Sequence, residues 1–388
     1  MKYAYMNVPF YHKLFDAYNV KPADINTIND LKKIPVVTRK DVQQNFGNII
    51  SRKISAERCV KHKTSGTAGI PIAVLLDSTA EKFRWAVSFR QFLECGGRLR
   101  DKQVQLRGHE APIIPDSKGK PFYEYIGFLR TEWIAVRGRI PGFATLFLEE
   151  YRPDVMVGYP SLFEMLSEMT RNKIKPRIIF CTGEVLTGHC RDKIRSAFGA
   201  RIIDSYGCTE VGDIAWECPE EDIGYHINAD TVLVEFIKDG ENVAPGEEGE
   251  IVLTNLFNYA MPLIRYDIGD VGVPSDEQCT CGRTLPLMQL LKGRSDDFII
   301  LPDGKKLSPM CIKENFIEVS EYRIVQEKRD LIVVWLKMHE EHKDASVTWC
   351  VSALRKVIGE TVRIKTRVVN EIPRDDSGKL RRIISKVN

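Results

Sequence analysis

The stretch Lys63-Thr64-Ser65-Gly66-Thr67-Ala68-Gly69-Ile70-Pro71 constrains this chain more than any other. It stands directly ahead of the apolar run Ile72-Ala73-Val74-Leu75-Leu76. Two glycines and three hydroxyl-bearing residues within six positions predict a loop between two strands whose backbone can approach an anion closely. Glycine has no Cβ to block that approach and tolerates positive φ. Successive N–H groups in such a turn form an anion-binding nest, and the Ser65 and Thr67 hydroxyls add donors. The same composition also suits a plain turn, so its meaning depends on the motifs further along the chain.

A chain of 388 residues exceeds one ordinary core, so two or more domains are expected. Hydrophobic residues at 43% and charged residues at 28% are ordinary for a globular protein. With 56 basic against 53 acidic residues, the charge balance gives no argument for nucleic acid or a membrane surface. No apolar run is long enough to span a bilayer. The opening residues 1–10 lack the pattern of a signal peptide, which points to the cytoplasm. Ten cysteines are then expected to be reduced, most of them as small core residues.

Residues 1–60 read as short helices, with Thr38-Arg39-Lys40-Asp41 as a capped start. Residues 60–76 fit strand, glycine loop, strand. A helix is expected over 79–96, capped by Ser78, with Phe83, Ala86, Val87, Phe89, Phe92 and Leu93 at helical spacing. Strand and helix then alternate to about residue 215, with Val155–Gly158 and Arg177–Cys181 as buried strands. From about 222 to 290 the pattern turns β-rich, with Thr231–Phe236 and Gly249–Thr254 joined across a Lys238-Asp239-Gly240 turn. The polar break Gly293-Arg294-Ser295-Asp296-Asp297 reads as a linker, after which 298–388 carries its own α+β pattern. The fold class is therefore α/β: a large N-terminal domain with layered α/β and a β-rich part, plus a small α+β C-terminal domain. The expected boundaries are 1–293, a hinge at 294–297, and 298–388.

Several further stations line up behind the glycine loop. They are Cys181-Thr182-Gly183-Glu184, Asp204-Ser205-Tyr206-Gly207-Cys208-Thr209-Glu210, Arg265-Tyr266-Asp267-Ile268-Gly269-Asp270, the Gly293–Asp297 linker, and Pro373-Arg374-Asp375-Asp376-Ser377-Gly378-Lys379. In this order the series resembles the AMP-forming adenylating superfamily, from about residue 60 to the end. It looks most like the branch of phenylacetate–CoA ligases, coenzyme F390 synthetases and CapK-type proteins. The opening Ala4-Tyr5-Met6-Asn7-Val8-Pro9-Phe10-Tyr11 also resembles that branch. Its members usually carry more residues ahead of this point, which leaves open a missing N-terminal piece.

The resemblance implies roles residue by residue. Ser65, Gly66, Thr67 and Gly69 would hold the β- and γ-phosphates of ATP. Glu210 would bind Mg2+, a hard cation that wants carboxylate oxygen, and Thr209 would bond the α-phosphate. Tyr206 would stack on adenine beside Gly207, Asp204 would accept from its amine, and Gly183 and Glu184 would form the opposite wall. Asp270 would take the ribose hydroxyls, with Arg294 adding a ribose or phosphate contact. Asp296 would be the hinge residue. Lys379 would bridge the carboxylate and α-phosphate, where a cation offsets charge that builds as two anions meet. One position departs from the family: Ile70 stands where a lysine often precedes the proline, so a fixed cation on the pyrophosphate is missing there.

Cys218, His226, Cys279 and Cys281 form a separate group. Three thiolates and an imidazole fit a closed tetrahedral zinc site, and the resembling branch has similar sequences at both places. The alternative is three unrelated reduced cysteines and a surface histidine. Taken together, the resemblance implies ATP-dependent activation of a small carboxylic acid, aromatic or similar, as an acyl-adenylate, then transfer to a thiol, coenzyme A. The rivals are adenylyl transfer to a cofactor, activation of an acid for capsular polysaccharide, and a degenerate relative that only binds. A homodimer is an assembly such a chain could form.

Overall fold

The computed structural model describes all residues except 64–71, 108–129, 136–140, 171–172, 222, 293–298, 305, 308–318, 339–342, 375–379 and 388. Ser65, Gly66, Thr67, Gly69, Ile70, Arg294, Asp296 and Lys379 therefore lie outside the described residues. The chain divides into two compact units, Met1–Cys95 with Tyr206–Arg294, and Gly96–Ser205 with Ser295–Asn388. Among the described residues no helix is long and apolar enough to cross a membrane.

In the first unit the short helices predicted at the start are present. Pro9 opens the helix Pro9–Ala17, where its missing N–H is one of the groups a helix start leaves unpaired anyway. That helix buries Tyr11 and Phe15 completely, each worth roughly 1.5–3 kcal/mol of burial. The Tyr11 hydroxyl keeps a partner by accepting the Ile264 N–H at 2.8 Å. The helix Arg39–Gln44 begins on a capping box: Thr38 caps the Asp41 N–H, and the Asp41 carboxylate returns to the Thr38 N–H at 2.8 Å.

Strands Val60–Lys63 and Ala73–Leu76 pair antiparallel on either side of the glycine loop, as the sequence predicts. The helix Ser78–Glu94 comes next, but its cap is Asp77 rather than Ser78. One Asp77 oxygen accepts the Thr79 and Ala80 N–H groups, and the other accepts those of Tyr259 and Ala260. A carboxylate can serve both segments at once, which a single hydroxyl cannot. The predicted apolar stripe is only partly inward: Val87 and Phe92 are buried, Phe83 and Leu93 are exposed, and Gln91 is buried instead.

The β-rich part of this unit is an antiparallel sheet. Its strands run in the order Glu241–Asn242, Val232–Lys238, Gly249–Asn255, Tyr266–Ser275, Leu287–Lys292, Tyr225–Ile227 and Gly212–Glu217. The predicted turn at Asp239-Gly240 has positive φ at both residues, 54° and 87°, which is the two-residue hairpin geometry that matches strand twist.

The second unit holds a parallel sheet in the order Arg130–Ala135, Lys102–Arg107, Val155–Gly158, Ile178–Thr182 and Arg201–Cys208. The last strand carries the chain across the boundary into the first unit. Helices Pro160–Ser167 and Gly188–Phe198 return the chain between strands and bury Leu162, Phe163, Ile194 and Phe198. The same unit contains a four-stranded sheet in the order Arg363–Val368, Leu331–Met338, Val319–Lys328 and Ile383–Ser385. Helix Lys343–Ile358 packs Cys350, Leu354 and Ile358 against its Ile324, Ile332 and Val334. This is the α+β pattern expected for the C-terminal part.

Candidate active site

The motif Tyr206-Gly207-Cys208-Thr209-Glu210 leaves the strand Arg201–Cys208 and turns into Gly212–Glu217. The turn is tight enough that a Cβ on Gly207 would lie 2.7 Å from the Gly212 carbonyl oxygen, so glycine is required there. Helix Ser78–Glu94, which leads away from the glycine loop, braces this turn from outside. Arg84 donates to the Thr209 carbonyl at 3.3 Å, and Ser88 donates to Asp213.

Glu210 is 6% exposed. The Tyr266 hydroxyl donates to its carboxylate at 3.2 Å, and the Arg39 guanidinium lies 3.6 Å away. Burial, and next the Glu210 charge, push the Tyr266 phenol well above its ordinary range. Tyr266 therefore stays a neutral donor at physiological pH. The arrangement presents one buried carboxylate with a neutral donor and a cation beside it. Mg2+ is typically held by one or two carboxylates plus substrate phosphates, and Glu210 fits that demand.

Tyr206 and Asp270 meet directly: the Tyr206 hydroxyl donates to Asp270 Oδ2 at 2.7 Å. Asp270 sits in the strand Tyr266–Ser275, whose start is fixed by Arg265. Arg265 is held by Glu235 at 3.2 Å, with both side chains nearly fully buried. Its own N–H donates to the Thr254 hydroxyl at 3.0 Å. The first unit thus brings together Tyr206, Gly207, Thr209, Glu210 and Asp270.

In the second unit, Asp204 stands on the same strand as Tyr206 and is buried, paired in register with Cys181 of the neighbouring strand. Gly183 comes just after that neighbouring strand with φ +77°, a left-handed conformation that glycine accepts without strain. Glu184 accepts hydrogen bonds from the Ser161 N–H at 3.1 Å, the Ser161 hydroxyl at 2.9 Å and the Leu380 N–H at 2.8 Å.

Sequence alone does not reveal Arg39 and Tyr266 as neighbours of Glu210. Arg39 sits one residue after a recognised helix cap and Tyr266 inside a recognised motif, but nothing local says that either side chain reaches Glu210.

Cys218, His226, Cys279 and Cys281 do converge. Their ligand atoms all lie within 4.8 Å of one another. The Cys218 and Cys279 sulfurs are 3.5 Å apart, and Cys281 Sγ is 3.4 Å from His226 Nε2. A disulfide would need about 2.05 Å. A tetrahedron with bonds of about 2.3 Å to sulfur and 2.0–2.1 Å to nitrogen has edges of about 3.6–3.8 Å. His226 is fully buried, so it is not the surface residue of the alternative reading. Burial pushes its imidazole below the usual value, toward the neutral form a metal needs. Burial raises Cys279 to about 12, whereas at Cys281 hydrogen bonds from Arg283 and its neighbours overcome burial and the thiol moves down. The donor set and its spacing fit zinc.

Two family models match this chain: the AMP-binding enzyme family over residues 134–258 and the CapK C-terminal domain over 299–386. Phenylacetate-coenzyme A ligase of Thermus thermophilus is 26% identical over 418 aligned positions, covering 98% of this chain and 93% of the relative. Phenylacetate-coenzyme A ligase of Escherichia coli is 28% identical, covering 90% of this chain and 81% of the relative. A crystal structure of 2-hydroxyisobutyryl-CoA ligase in the postadenylation state superposes with a TM-score of 0.80 at 20% identity, covering 99% of this chain and 87% of that one.

Proposed function

This chain belongs to the AMP-forming adenylating superfamily, in the branch of phenylacetate–CoA ligases and CapK, and we propose that it activates a carboxylic acid with ATP and passes the acyl group to coenzyme A. The observation that carries this reading is the first unit's constellation: Glu210 buried beside Tyr266 and Arg39, with Tyr206 bonded to Asp270. The strand Tyr266–Ser275 bonds one carboxylate suited to a metal and carries another suited to ribose hydroxyls. Two relatives that cover 98% and 90% of the chain are named phenylacetate-coenzyme A ligase, and a third that covers 99% is named CapK.

In this reading, attack of the acid's carboxylate oxygen on the α-phosphorus forms the acyl-adenylate and releases pyrophosphate. A thiol then attacks the acyl carbon, forming the thioester and releasing AMP. By the resemblance, Thr209 donates to the α-phosphate, Asp270 accepts from the ribose hydroxyls, Tyr206 stacks on adenine, Asp204 accepts from its amine, and Gly183 and Glu184 supply further nucleotide contacts. Glu210 would hold Mg2+, which supplies charge neutralisation at the phosphates. The Ser65-Gly66-Thr67-Ala68-Gly69 loop cradles the leaving pyrophosphate, with Arg294 near the ribose or phosphate. Lys379 neutralises the meeting anions, and residues 298–388 move about Asp296 between half-reactions. Cys218, His226, Cys279 and Cys281 would hold one structural Zn2+ away from the chemistry.

A second reading, activation for an acceptor other than coenzyme A, is favoured by the CapK match over 299–386. Pyrophosphate release measured over a panel of aryl and aliphatic acids, with and without coenzyme A, separates the two. Acid-dependent release with coenzyme A consumed supports the ligase. Acid-dependent release indifferent to coenzyme A supports another acceptor, and no release with any acid overturns both. Lys379→Ala should abolish adenylation while ATP still binds.

A further inference from the structure

The second unit contains a polar network of which the nucleotide reading uses only Glu184. It joins two distant stretches of sequence through three anchors. The first is at Leu380, whose N–H donates to Glu184 Oε1 at 2.8 Å. The second is at Arg374, which donates to the Ser161 hydroxyl at 2.9 Å and to Glu321 Oε1 at 2.7 Å. The third is at Arg382, which pairs with Glu164 at 2.5 Å while lying over the Tyr322 ring at 5.3 Å.

These anchors are built rather than incidental. Ser161 is 2% exposed and Glu164 is 6% exposed. The Ser161 hydroxyl donates to Glu184 while accepting from Arg374, so one buried oxygen links a carboxylate to a guanidinium. Ser161 and Glu164 share the helix Pro160–Ser167, and Lys193 also approaches Glu164, at 3.7 Å. Hydrogen bonds in which one partner is ionised are roughly twice as strong as neutral ones.

We propose that Glu184, Ser161 and Glu164 form the seat on which the anchors Leu380, Arg374 and Arg382 rest during acyl-adenylate formation. Glu184 is then a positioning residue, acting through the chain next to Lys379 with its carboxylate, while its backbone is left to the nucleotide. The inference rests on the proposed ligase reading, because it assigns the seat to one of the two half-reactions. It also distinguishes the halves: the anchors serve adenylation and have no task when the thiol attacks.

The test separates those halves with Glu184→Ala, Arg374→Ala and Glu164→Ala, the last two lying outside the proposed nucleotide contacts. Adenylation is read as acid-dependent ATP–pyrophosphate exchange, starting with phenylacetate. Thioester formation is read from supplied phenylacetyl-adenylate and coenzyme A. The expected result is a fall of about tenfold to a hundredfold in exchange kcat for each variant, the size of one charged hydrogen bond. For Arg374→Ala and Glu164→Ala the KM for ATP and the second half-reaction should stay within about threefold. In those two variants, equal loss in both halves, or an ATP KM that rises in step with the loss, overturns the seat. If the parent protein exchanges with no acid, the ligase reading fails. Hydrogen exchange then still decides the contact without any substrate: loss of protection at the Leu380 amide in Glu184→Ala, with the strand Leu331–Met338 unchanged, supports the seat. Unchanged protection at Leu380 overturns it.

Discussion

The Tyr206 hydroxyl donates to Asp270 Oδ2 at 2.7 Å, tying the proposed adenine-stacking residue to the proposed ribose acceptor. One Asp270 oxygen is thereby oriented by the protein, and the carboxylate is aimed before nucleotide arrives. Tyr206→Phe keeps the ring and removes only this bond, so ATP affinity should fall by up to about tenfold. Asp270→Ala removes the acceptor itself and should cost more, about tenfold to a hundredfold. In the double variant the losses should be less than additive, because the two residues share one interaction. Calorimetric titration with ATP checks all three. Fully additive losses would show that the bond plays no part in holding the nucleotide.

Arg265 and Glu235 form a buried ion pair directly before Tyr266, at 3.2 Å and with side-chain exposures of 4% and 2%. Burial pushes the Glu235 carboxyl up while Arg265 pulls it down, and burial prevails. Arg265 has φ +51°, and its guanidinium also donates to the Ile34 carbonyl at 2.5 Å. Glu235→Leu leaves that guanidinium charged and without its carboxylate. Breaking a buried pair from one side should destabilise by about 3–5 kcal/mol. Replacing both, Glu235→Leu with Arg265→Met, should recover part of it. Urea denaturation midpoints of the parent and the two variants measure this, and a single variant as stable as the parent would contradict it.

Glu81 and His62 pair beside the glycine loop's first strand. The hydrogen bond from His62 holds the Glu81 carboxyl below its ordinary range, against the opposing effect of burial. The unfolded chain therefore binds more protons than the folded one below about pH 4.5, and stability rises with pH in that window. The contribution is present above the unfolded pKa and lost as pH falls through the lowered folded value. Glu81→Gln should flatten this acid limb, with the parent and variant converging in stability as pH is lowered from about 5 toward 3. Thermal unfolding across that range reads the difference, and parallel curves would exclude the pair as its source.

The parts of the site that can be read from sequence are those where one short segment carries both the turn and the chemistry. Tyr206–Glu210 and Arg265–Asp270 are such segments, and their order along the chain conveys their meaning. The β-rich part is legible because alternation and the Asp239-Gly240 turn are local properties. The partners of Glu210 and Glu184 come from elsewhere: Arg39 and Tyr266 for one, Ser161 and Leu380 for the other. No local pattern encodes those pairings, because they depend on how distant elements pack. The cap of the helix Ser78–Glu94 departs from expectation for the same reason. Ser78 is a good cap by type, but Asp77 also serves Tyr259 and Ala260 across the fold. The apolar stripe of that helix is narrower than its spacing suggests, because Phe83 and Leu93 are exposed while Gln91 is buried.

The four residues Cys218, His226, Cys279 and Cys281 give the last prediction. Their ligand atoms converge within 4.8 Å; Cys218 and Cys279 cluster with Leu287, with Ile223 and Cys281 packed against them, and the buried Trp216 ring lies 5.2 Å from that of His226. A metal bound by the four side chains would tie the Cys279-Thr280-Cys281 turn to Cys218 and His226. Protein purified without chelator should contain about one zinc per chain by elemental analysis. Cys279→Ser with Cys281→Ser should lose it, since the tetrahedron would keep only half of its ligands. Chelation at high affinity should lower the thermal midpoint by about 1–3 °C, roughly the effect of 1–2 kcal/mol in a chain of this size. Thr280 donates to Glu221 at 2.7 Å from the opposite strand connection, so Thr280→Ala serves as the control that disturbs the turn but leaves every ligand. Zinc retained in Thr280→Ala and lost in the double serine variant identifies the ligands. Metal-free parent protein with an unchanged midpoint would show that the four side chains are packed thiols and an imidazole with no ion to bind.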